Sequence, residues 1–432
     1  MKIILAKNYS SSALQELVRR TPESKCGVES KVREILQNVR KNKDEALFAL
    51  TKQLDGVELA TLRVLPEEIK EAYKKDQPEV ITALKKAKNA IMKFQSSIIK
   101  REPKIRTEKG VNVWREFRPI ERVGLYVPGG KAAYPSTVLM LGIPARIAGC
   151  KEVVLCVPPG KDGNAPSAVL VAADLCGITK IFKVGGAQAI AAMAYGTESV
   201  PKVSKVFGPG NQYVTTAKMQ VYGEVDIDMP AGPTEVLIFA DETAIPAFVA
   251  ADMLAQLEHS EDAQAVLVTR SEKVAQQVQQ ELVRQLPLLS RQDIIRRALR
   301  SSFGLVFSKL IDALSFINDY APEHLEIMSR DEAKIIPRIT NAGSVFLGSY
   351  TGGPLGDYAT GSNHTLPTSG YSKMFSPLSV ESFGKKMQIQ KVNRAGLFTI
   401  GKTVETLAER EGLDAHKNAI HIRYKRNYKK LS

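Results

Sequence analysis

Short apolar runs that end in glycine or proline alternate with helical patterns through the middle of the chain. Four such runs are RVGLYVPG, KEVVLCVPPG, KIFKVGGAQA and KVSKVFGPGN, and helical patterns such as 135–149 and 165–177 separate them. This alternation predicts a parallel, doubly wound sheet. Ligands bind beyond the carboxyl ends of the strands in such sheets, and those ends carry glycines. They are Gly129, Gly130, Gly185, Gly186, Gly208 and Gly210.

A second α/β region follows. Its predicted strands include AQAVLVT, GLVFS and residues 344–347, with helices between them. We therefore expect an α/β fold of two Rossmann-like doubly wound domains, a small N-terminal arm and a C-terminal helical tail. The predicted boundaries are an arm at 1–25, a discontinuous α/β domain at 26–125 and 236–378, an inserted α/β domain at 126–235 and a tail at 379–432.

The segments on either side of these α/β regions show simpler patterns of apolar and polar residues. Residues 28–53 and 66–100 read as amphipathic helices with lysines between the apolar positions, and residues 104–118 alternate like a hairpin around Gly110. A helix is expected at 402–411 in the tail.

A long segment rich in Gly, Ser and Thr stands out at 341–370. It opens as the short apolar strand and then carries Asp357, Asn363 and His364. A long loop in a compact domain is usually functional or disordered. A binding loop is therefore one interpretation, and a plain surface loop is the other.

The dinucleotide fingerprint G-x-G-x-x-G and the Walker A pattern are both absent. The segment GPGNQYVTTAKMQVYG remains, where Asn211 can cap the helix that follows. Free amides at a helix start can bind an anion, so the segment is either a phosphate-binding turn or an ordinary helix cap.

The amino-acid composition narrows the possible classes of protein. Hydrophobic residues make up 44% and charged residues 25% of the 432 residues, which is ordinary for a globular protein. Apolar runs are too short for a membrane span, and the first residues lack a signal-peptide pattern. The cysteines, Cys26, Cys150, Cys156 and Cys176, form no C-x-x-C pair. A reducing, cytoplasmic setting is expected.

The net charge of +14 comes partly from the basic C-terminal run HIRYKRNYKKLS. Such a run could contact nucleic acid, but a solvated chain end is the preferred interpretation. The positive field also suits anionic small molecules such as dinucleotides.

Four of the five histidines stand beside a polar partner in a short segment next to a turn. Imidazole and carboxylate ligands suit zinc, and an adjacent Glu-His pair suits proton transfer. The residues alone therefore indicate a zinc enzyme of unknown substrate. The pairs are Gln256 with His259, Glu323 with His324, Asp357 with His364, and Glu411 with His416.

Together these motifs resemble the histidinol dehydrogenase family over nearly the whole chain. The matching segments are RVGLYVPGG, YPSTVLM, VGGAQAIAAMAYGTESVPKV, FGPGNQYV, DMPAGPTEVL, DMLAQLEHSEDAQA, APEHLE, GDYATGSNHTLPTSG and GLDAHKNA. The family oxidises L-histidinol to L-histidine through an aldehyde, with two NAD consumed in each turnover and no membrane involved. The resemblance thus implies a cytoplasmic homodimer with one zinc ion per subunit.

The resemblance also implies roles for particular residues. Glu323 and His324 match the acid/base pair. Zinc would be bound by Gln256, His259 and Asp357, with His416 donated across the dimer interface. Tyr126, Gln188 and Asn211 match NAD-contacting positions. Substrate would contact Thr234, His364, His324, the metal ligands Gln256, His259, Asp357 and His416, and Glu411 from the partner subunit.

Zinc has no redox role, so hydride must pass to a separate carrier while the metal orients the substrate. We expect His324 to remove the alcohol proton and Glu323 to activate the water that adds to the aldehyde.

Two positions depart from the family pattern. Thr234 stands where serine is common, which keeps a hydroxyl, and Gly352-Gly353-Pro354 stands where Ser-Pro-Glu is frequent. The rival enzyme is a relative that acts on another amino alcohol or a sulfonate-bearing alcohol. Retention of Glu323, His324, His364 and Glu411 argues against it. A nucleic-acid-binding protein is the rival from another class, and its only support is charge.

Overall fold

The computed structural model describes residues 1–20, 27–129, 133–230 and 232–425. Cys26, Gly130, the last five residues of the predicted arm and the end of the basic tail therefore lie outside the described residues. The strands are β1 (Lys2–Leu5), β2 (Ile105–Glu108), β3 (Val111–Pro119), β4 (Arg122–Tyr126), β5 (Glu152–Val157), β6 (Lys180–Lys183), β7 (Lys205–Phe207), β8 (Asp226–Ile227), β9 (Glu235–Ala240), β10 (Gln264–Thr269), β11 (Phe303–Val306), β12 (His324–Met328), β13 (Ser344–Leu347) and β14 (Gly384–Val392).

The helices are α1 (Ser11–Val18), α2 (Val28–Leu54), α3 (Pro66–Lys75), α4 (Pro78–Ile98), α5 (Pro135–Ala148), α6 (Ser167–Cys176), α7 (Gly186–Tyr195), α8 (Gln212–Val221), α9 (Pro246–Leu257), α10 (Glu272–Gln285), α11 (Gln292–Ala298), α12 (Leu310–Tyr320), α13 (Glu332–Ile335), α14 (Gly353–Tyr358), α15 (Arg394–Arg410) and α16 (Asp414–Lys425). Short 3₁₀ turns occur at Ala6–Asn8, Leu286–Leu288, Ile336–Arg338, Tyr371–Lys373 and Val380–Phe383. None of the helices in the described part of the chain has both the length and the apolar character that crossing a membrane requires.

The chain forms two compact units. The first consists of Met1–Ile98 and Ile120–Phe383, and the second of Ile99–Pro119 and Gly384–Ser432. Both parallel sheets belong to the first unit.

The first of these sheets has five parallel strands in the order β6-β5-β4-β7-β8. Numbered along the chain, this order is 3-2-1-4-5, so the direction of winding reverses between β4 and β7. The strands are apolar and almost entirely buried because helices cover both faces.

The second sheet has six parallel strands in the order β1-β11-β10-β9-β12-β13. From β9 onward it repeats the 3-2-1-4-5 order, with β1 added at the outer edge. Here the winding reverses between β9 and β12. The predicted α/β fold with two doubly wound sheets is confirmed.

The helices before residue 99 pack differently from the predicted grouping of 26–125 with 236–378. Helix α2 packs on α7 and α8, and its Val32 and Leu47 share one core with Cys156 of the five-stranded sheet. Helices α3 and α4 pack on α6 and α5. An amphipathic pattern predicts an apolar face but not which sheet that face will cover.

The first residues also differ from the predicted arm. Strand β1 pairs in parallel with β11 and forms the edge of the six-stranded sheet. Helix α1 packs against α12. Four residues are too short a run for the sequence to indicate a distant pairing partner.

The second unit contains an antiparallel sheet in the order β14-β3-β2 and the helices α15 and α16. The hairpin predicted around Gly110 is β2–β3. Strand β14 was not predicted, so the C-terminal segment is not wholly helical. Gly110 has φ 81°, and a Cβ there would meet the side chain of Asn393 and the backbone nitrogen of Gly396.

Replacing Gly110 by alanine is expected to destabilise the second unit by about 2–4 kcal/mol, because left-handed strain and a steric clash add together. Gly56 is the matched control, since it has φ 73° but a Cβ there meets no described atom within 4 Å. Gly56→Ala should cost only the left-handed strain, about 1–2 kcal/mol. Urea unfolding followed by circular dichroism measures both, and equal losses would contradict the expected clash.

Candidate functional site

The candidate acid/base residues lie at the amino ends of two neighbouring strands, β9 and β12. Thr234 immediately precedes β9, while Glu323 precedes β12 and His324 begins it. Because the strands are parallel and His324 pairs with Val236, these residues meet at the amino edge of the six-stranded sheet.

The candidate residues therefore lie at the edge opposite to the carboxyl ends, where ligands of parallel sheets usually bind. The five-stranded sheet contributes a group from its carboxyl edge. Helix α5, which follows β4, places Thr137 Oγ1 3.5 Å from His364 Nε2. The carboxyl-end rule treats each sheet alone, whereas this site uses loops from both sheets of one unit.

Glu323 is a buried carboxylate whose oxygen is held by two donors. Its Oε2 atom accepts hydrogen bonds from Thr234 Oγ1 at 2.7 Å and from the backbone nitrogen of Glu235 at 2.9 Å. Only 5% of Glu323 is exposed. Both donors stabilise a fixed carboxylate orientation, which an acid/base group requires.

His324 is held as a single tautomer. Its Nδ1 atom donates to the backbone carbonyl of Glu235 at 3.1 Å, and a carbonyl can only accept. The other nitrogen, Nε2, is buried and has no hydrogen-bond partner among the described residues. It lies 3.7 Å from Asp357 Oδ1. The arrangement leaves Nε2 as the atom that can exchange a proton with a ligand.

Charges around His324 control its protonation. Burial alone would lower the pKa of His324, but the carboxylates of Glu323 and Asp357 outweigh it and raise the pKa well above its usual value. Conversely, although burial acts to raise it, the pKa of Asp357 is lowered because His324 stabilises its charged form.

Gln256 and His259 come from the end of α9. Gln256 Nε2 donates to Thr234 Oγ1, so the amide oxygen Oε1 is not used in that bond. His259 Nδ1 donates to the backbone carbonyl of Gln256 at 3.1 Å, which leaves Nε2 as an acceptor. Both side chains are thus oriented with one metal-binding atom free of this hydrogen bonding.

Thr234 connects these two groups. Its hydroxyl accepts from Gln256 and donates to Glu323, so three side chains form one hydrogen-bonded line. We call Gln256–Thr234–Glu323 the hydroxyl bridge.

The segment 341–370 is more structured than predicted. Strand β13 is confirmed at Ser344–Leu347, but the short helix α14 follows it and carries Asp357. The remaining loop is anchored by Asn363, whose Nδ2 donates to the carbonyl of Met140 at 2.7 Å. His364 is half-buried, and burial lowers its pKa.

The predicted metal ligands are only partly assembled within the first unit. His259 Nδ1 is hydrogen-bonded to the backbone carbonyl of Gln256, and Asp357 lies 3.7 Å from His324 Nε2. His416 belongs to α16 and Glu411 follows α15, both in the second unit. In the described ranges, no group of three or more His, Cys, Asp or Glu side chains is placed to hold a metal ion.

The predicted NAD-contacting residues follow strands of the five-stranded sheet. Tyr126 ends β4, and its hydroxyl accepts from the backbone nitrogen of Gly186 at 3.1 Å. Gln188 in α7 is 1% exposed, and its Oε1 has no partner within the described chain. Asn211 caps α8 by accepting from Tyr213 and Val214. Tyr126 and Asn211 follow the two strands, β4 and β7, between which the winding reverses, and the Tyr126–Gly186 hydrogen bond connects the start of α7 to β4.

Sequence reasoning missed Glu235, which supports the Glu323–His324 pair. Its Oε1 accepts from the backbone nitrogens of Glu323 at 3.2 Å and Ser369 at 3.1 Å, and it forms a buried ion pair with Arg20. Burial raises the pKa of Glu235 to about 7, against the opposing effect of Arg20. A carboxylate at the start of the apolar strand EVLIFA was the available signal.

A second missed pair is Glu326 with Asp252. Glu326 Oε1 accepts from the backbone nitrogen of Gly353 at 2.9 Å, at the start of α14. Burial, together with the neighbouring Asp252 carboxyl, raises the pKa of Glu326 well above its usual value. Gly353, to which no role was assigned from the sequence, therefore helps to anchor the helix that carries Asp357.

Two parallel sheets whose winding reverses, with a buried Glu323–His324 pair at the edge of one of them, indicate an enzyme of the α/β class. The sequence profile described as "Histidinol dehydrogenase" matches residues 18–424. The chain is 49% identical to histidinol dehydrogenase of Bacteroides fragilis over 98% of this chain and 99% of that protein. It is 48% identical to that of Methanocaldococcus jannaschii over 91% of this chain and 92% of that protein.

Among solved structures, histidinol dehydrogenase from Elizabethkingia anophelis superposes with a TM-score of 0.96, at 45% identity and 98% coverage of both chains. The chain belongs to the histidinol dehydrogenase family, and it is an oxidoreductase. The resemblance inferred from the motifs is confirmed.

Thr234→Val should break the hydroxyl bridge and destabilise the protein by about 1–3 kcal/mol, because a buried amide and a buried carboxylate each lose a partner. Thr234→Ser keeps the hydroxyl and should stay within about 1 kcal/mol of the parent. Chemical denaturation measures both variants. A valine variant as stable as the serine variant would contradict the bridge.

Proposed function

We propose that this chain oxidises L-histidinol to L-histidine through the aldehyde, in the last steps of histidine biosynthesis, with NAD as electron acceptor and zinc in the site. Family membership supports the substrate. The observation that carries the chemistry is the buried Glu323–His324 pair, linked by the hydroxyl bridge to Gln256.

The donor set fits zinc. Gln256 Oε1, His259 Nε2 and the Asp357 carboxylate are oxygen and nitrogen donors, and the hydrogen bonds of Gln256 and His259 use their other atoms. His416 from a partner subunit would complete the set. Bound there, zinc would orient the nitrogen donors of the substrate and, by occupying Asp357, lower the proton affinity of His324.

His324 is proposed to accept the alcohol proton at Nε2 as the first hydride leaves. The backbone carbonyl of Glu235 holds Nδ1, so the ring cannot turn its reactive nitrogen away. The Glu323 carboxylate, whose Oε2 lies 3.6 Å from Nδ1, stabilises the imidazolium that forms.

Glu323 is proposed to take a proton from the water that adds to the aldehyde. His324, once it has released the first proton to solvent, accepts the hydroxyl proton of the hydrate as the second hydride leaves. Thr234 and the backbone nitrogen of Glu235 both bond to Oε2 of Glu323, so the other oxygen, Oε1, is the one proposed to take the water proton.

NAD supplies the hydride acceptor when bound, and we place it near Tyr126, Gln188 and Asn211. Oε1 of buried Gln188 has no partner among the residues that the structure describes, and this supports the location because a buried amide oxygen normally finds a donor.

Substrate is proposed to contact Thr234, His364 and the metal ligands, with His416 and Glu411 donated by the partner of a homodimer. This assignment rests on the family resemblance. A cytoplasmic location is proposed as well, and it is supported by free thiols at Cys150, Cys156 and Cys176.

Glu323→Gln should form the first NADH from histidinol at near-normal rate and then stall, because the amide cannot accept a proton from water. The overall rate of histidine formation should fall by roughly 10²–10⁴-fold. Stopped-flow NADH absorbance and chromatography of the products measure the two steps separately. Thr234→Ser is the control that keeps the carboxylate. A glutamine variant that completes both oxidations normally would refute this role.

Mixing two variant subunits tests whether His416 is donated to the site by the partner subunit. Co-expressed His416→Ala and Asp357→Asn chains should recover about one quarter of parental activity, because half of the dimers are mixed and each contains one intact site. Each variant alone should be nearly inactive. If both ligands came from one chain, every mixed site would be defective and no activity would return. Size-exclusion chromatography verifies that mixed dimers form.

A further inference from the structure

We propose that Lys218 and Asp228 are positioning residues for the dinucleotide, because their buried ion pair fixes the turn Gly208–Asn211. This inference rests on the proposed NAD site at the carboxyl edge of the five-stranded sheet.

The pair holds both sides of one glycine residue. Lys218 Nζ donates to the carbonyl of Gly208 at 3.0 Å, and Asp228 Oδ2 accepts from the backbone nitrogen of Gly208 at 2.7 Å. The two side chains also form an ion pair with each other and are only 4% and 1% exposed. Asp228 Oδ1 accepts in addition from the backbone nitrogen of Met229.

The backbone conformation and packing of Gly208 leave no room for a side chain. Its φ is 124°, and a Cβ there would collide with the backbone carbonyl of Tyr126. The turn is thus packed directly on one proposed NAD-contacting residue. Three residues later it ends at another, Asn211, which caps α8. Any shift of the Gly208 backbone would move these two groups relative to each other.

The cost of the arrangement argues for a positioning role. A buried lysine is rare unless it is paired, and apolar residues of similar size often replace a buried ion pair without loss of stability. The two charged side chains provide what apolar side chains could not. Lys218 donates to the carbonyl of Gly208, and Asp228 accepts from its backbone nitrogen.

A control ion pair exists on the neighbouring strands β7 and β8. Lys205 Nζ pairs with Asp226 Oδ2 at 2.9 Å, between the first residues of β7 and β8. This pair lies at the amino edge, away from the turn, and Asp226 is half exposed. Losing it removes one ion pair in the same sheet without affecting the two side chains that hold Gly208.

The test uses the full-length, zinc-loaded enzyme and NAD itself as the probe. Lys218→Met and Asp228→Asn should each raise the Kd of NAD by calorimetry, and its KM, by at least about tenfold through lost preorganisation. The value of kcat at saturating NAD and the KM of histidinol should change by less than about twofold, because the chemical step is untouched. Lys205→Met should leave all four values unchanged.

A double variant separates positioning from stability. Lys218→Leu with Asp228→Leu removes both charges, so thermal stability should return toward the parent while NAD affinity stays weak. Parental NAD affinity in the double variant would overturn the proposal, as would an equal loss of NAD and histidinol affinity in Lys218→Met. A parent enzyme that neither binds nor reduces NAD would instead refute the proposed function, and this inference with it.

Discussion

Parallel pairing of β9 with β12 is the constraint on which the candidate site depends. This pairing aligns the segments that enter the two strands, so Thr234 and Glu235 lie against Glu323 and His324. Two hydrogen bonds to Glu323 and one from His324 follow directly from that register. A shift of one residue would turn the side chains of β12 to the opposite face of the sheet and break the contacts of Glu323 and His324 with Thr234 and Glu235.

The hydroxyl bridge extends this order beyond the two strands. Gln256 lies on α9, which follows β9, and it reaches Glu323 only through Thr234. Glu326, two residues into β12, anchors α14 and therefore Asp357. The candidate metal ligands of the first unit are thus each connected, by one or two hydrogen bonds, to the same pair of strands.

Much of this architecture could be predicted from sequence. Apolar runs that alternate with helical patterns indicated both parallel sheets, and the histidine pairs indicated a zinc enzyme. The sequence did not reveal that α2 covers the five-stranded sheet, since Val32 and Leu47 would be equally apolar against either sheet. Nor did it reveal the role of Glu235. A carboxylate at the start of an apolar strand was visible, but its buried ion pair with Arg20, far away in sequence, was not. The site at the amino edge was also not predictable from one sheet considered alone.

One feature of His324 bears on how such a site can evolve. The acceptor that fixes its tautomer is a main-chain carbonyl, which every amino acid possesses. Replacing residue 235 by any other type leaves that acceptor chemically present. Substitutions can therefore change the charges and contacts around the imidazole, while the strand pairing still determines which ring nitrogen carries the proton.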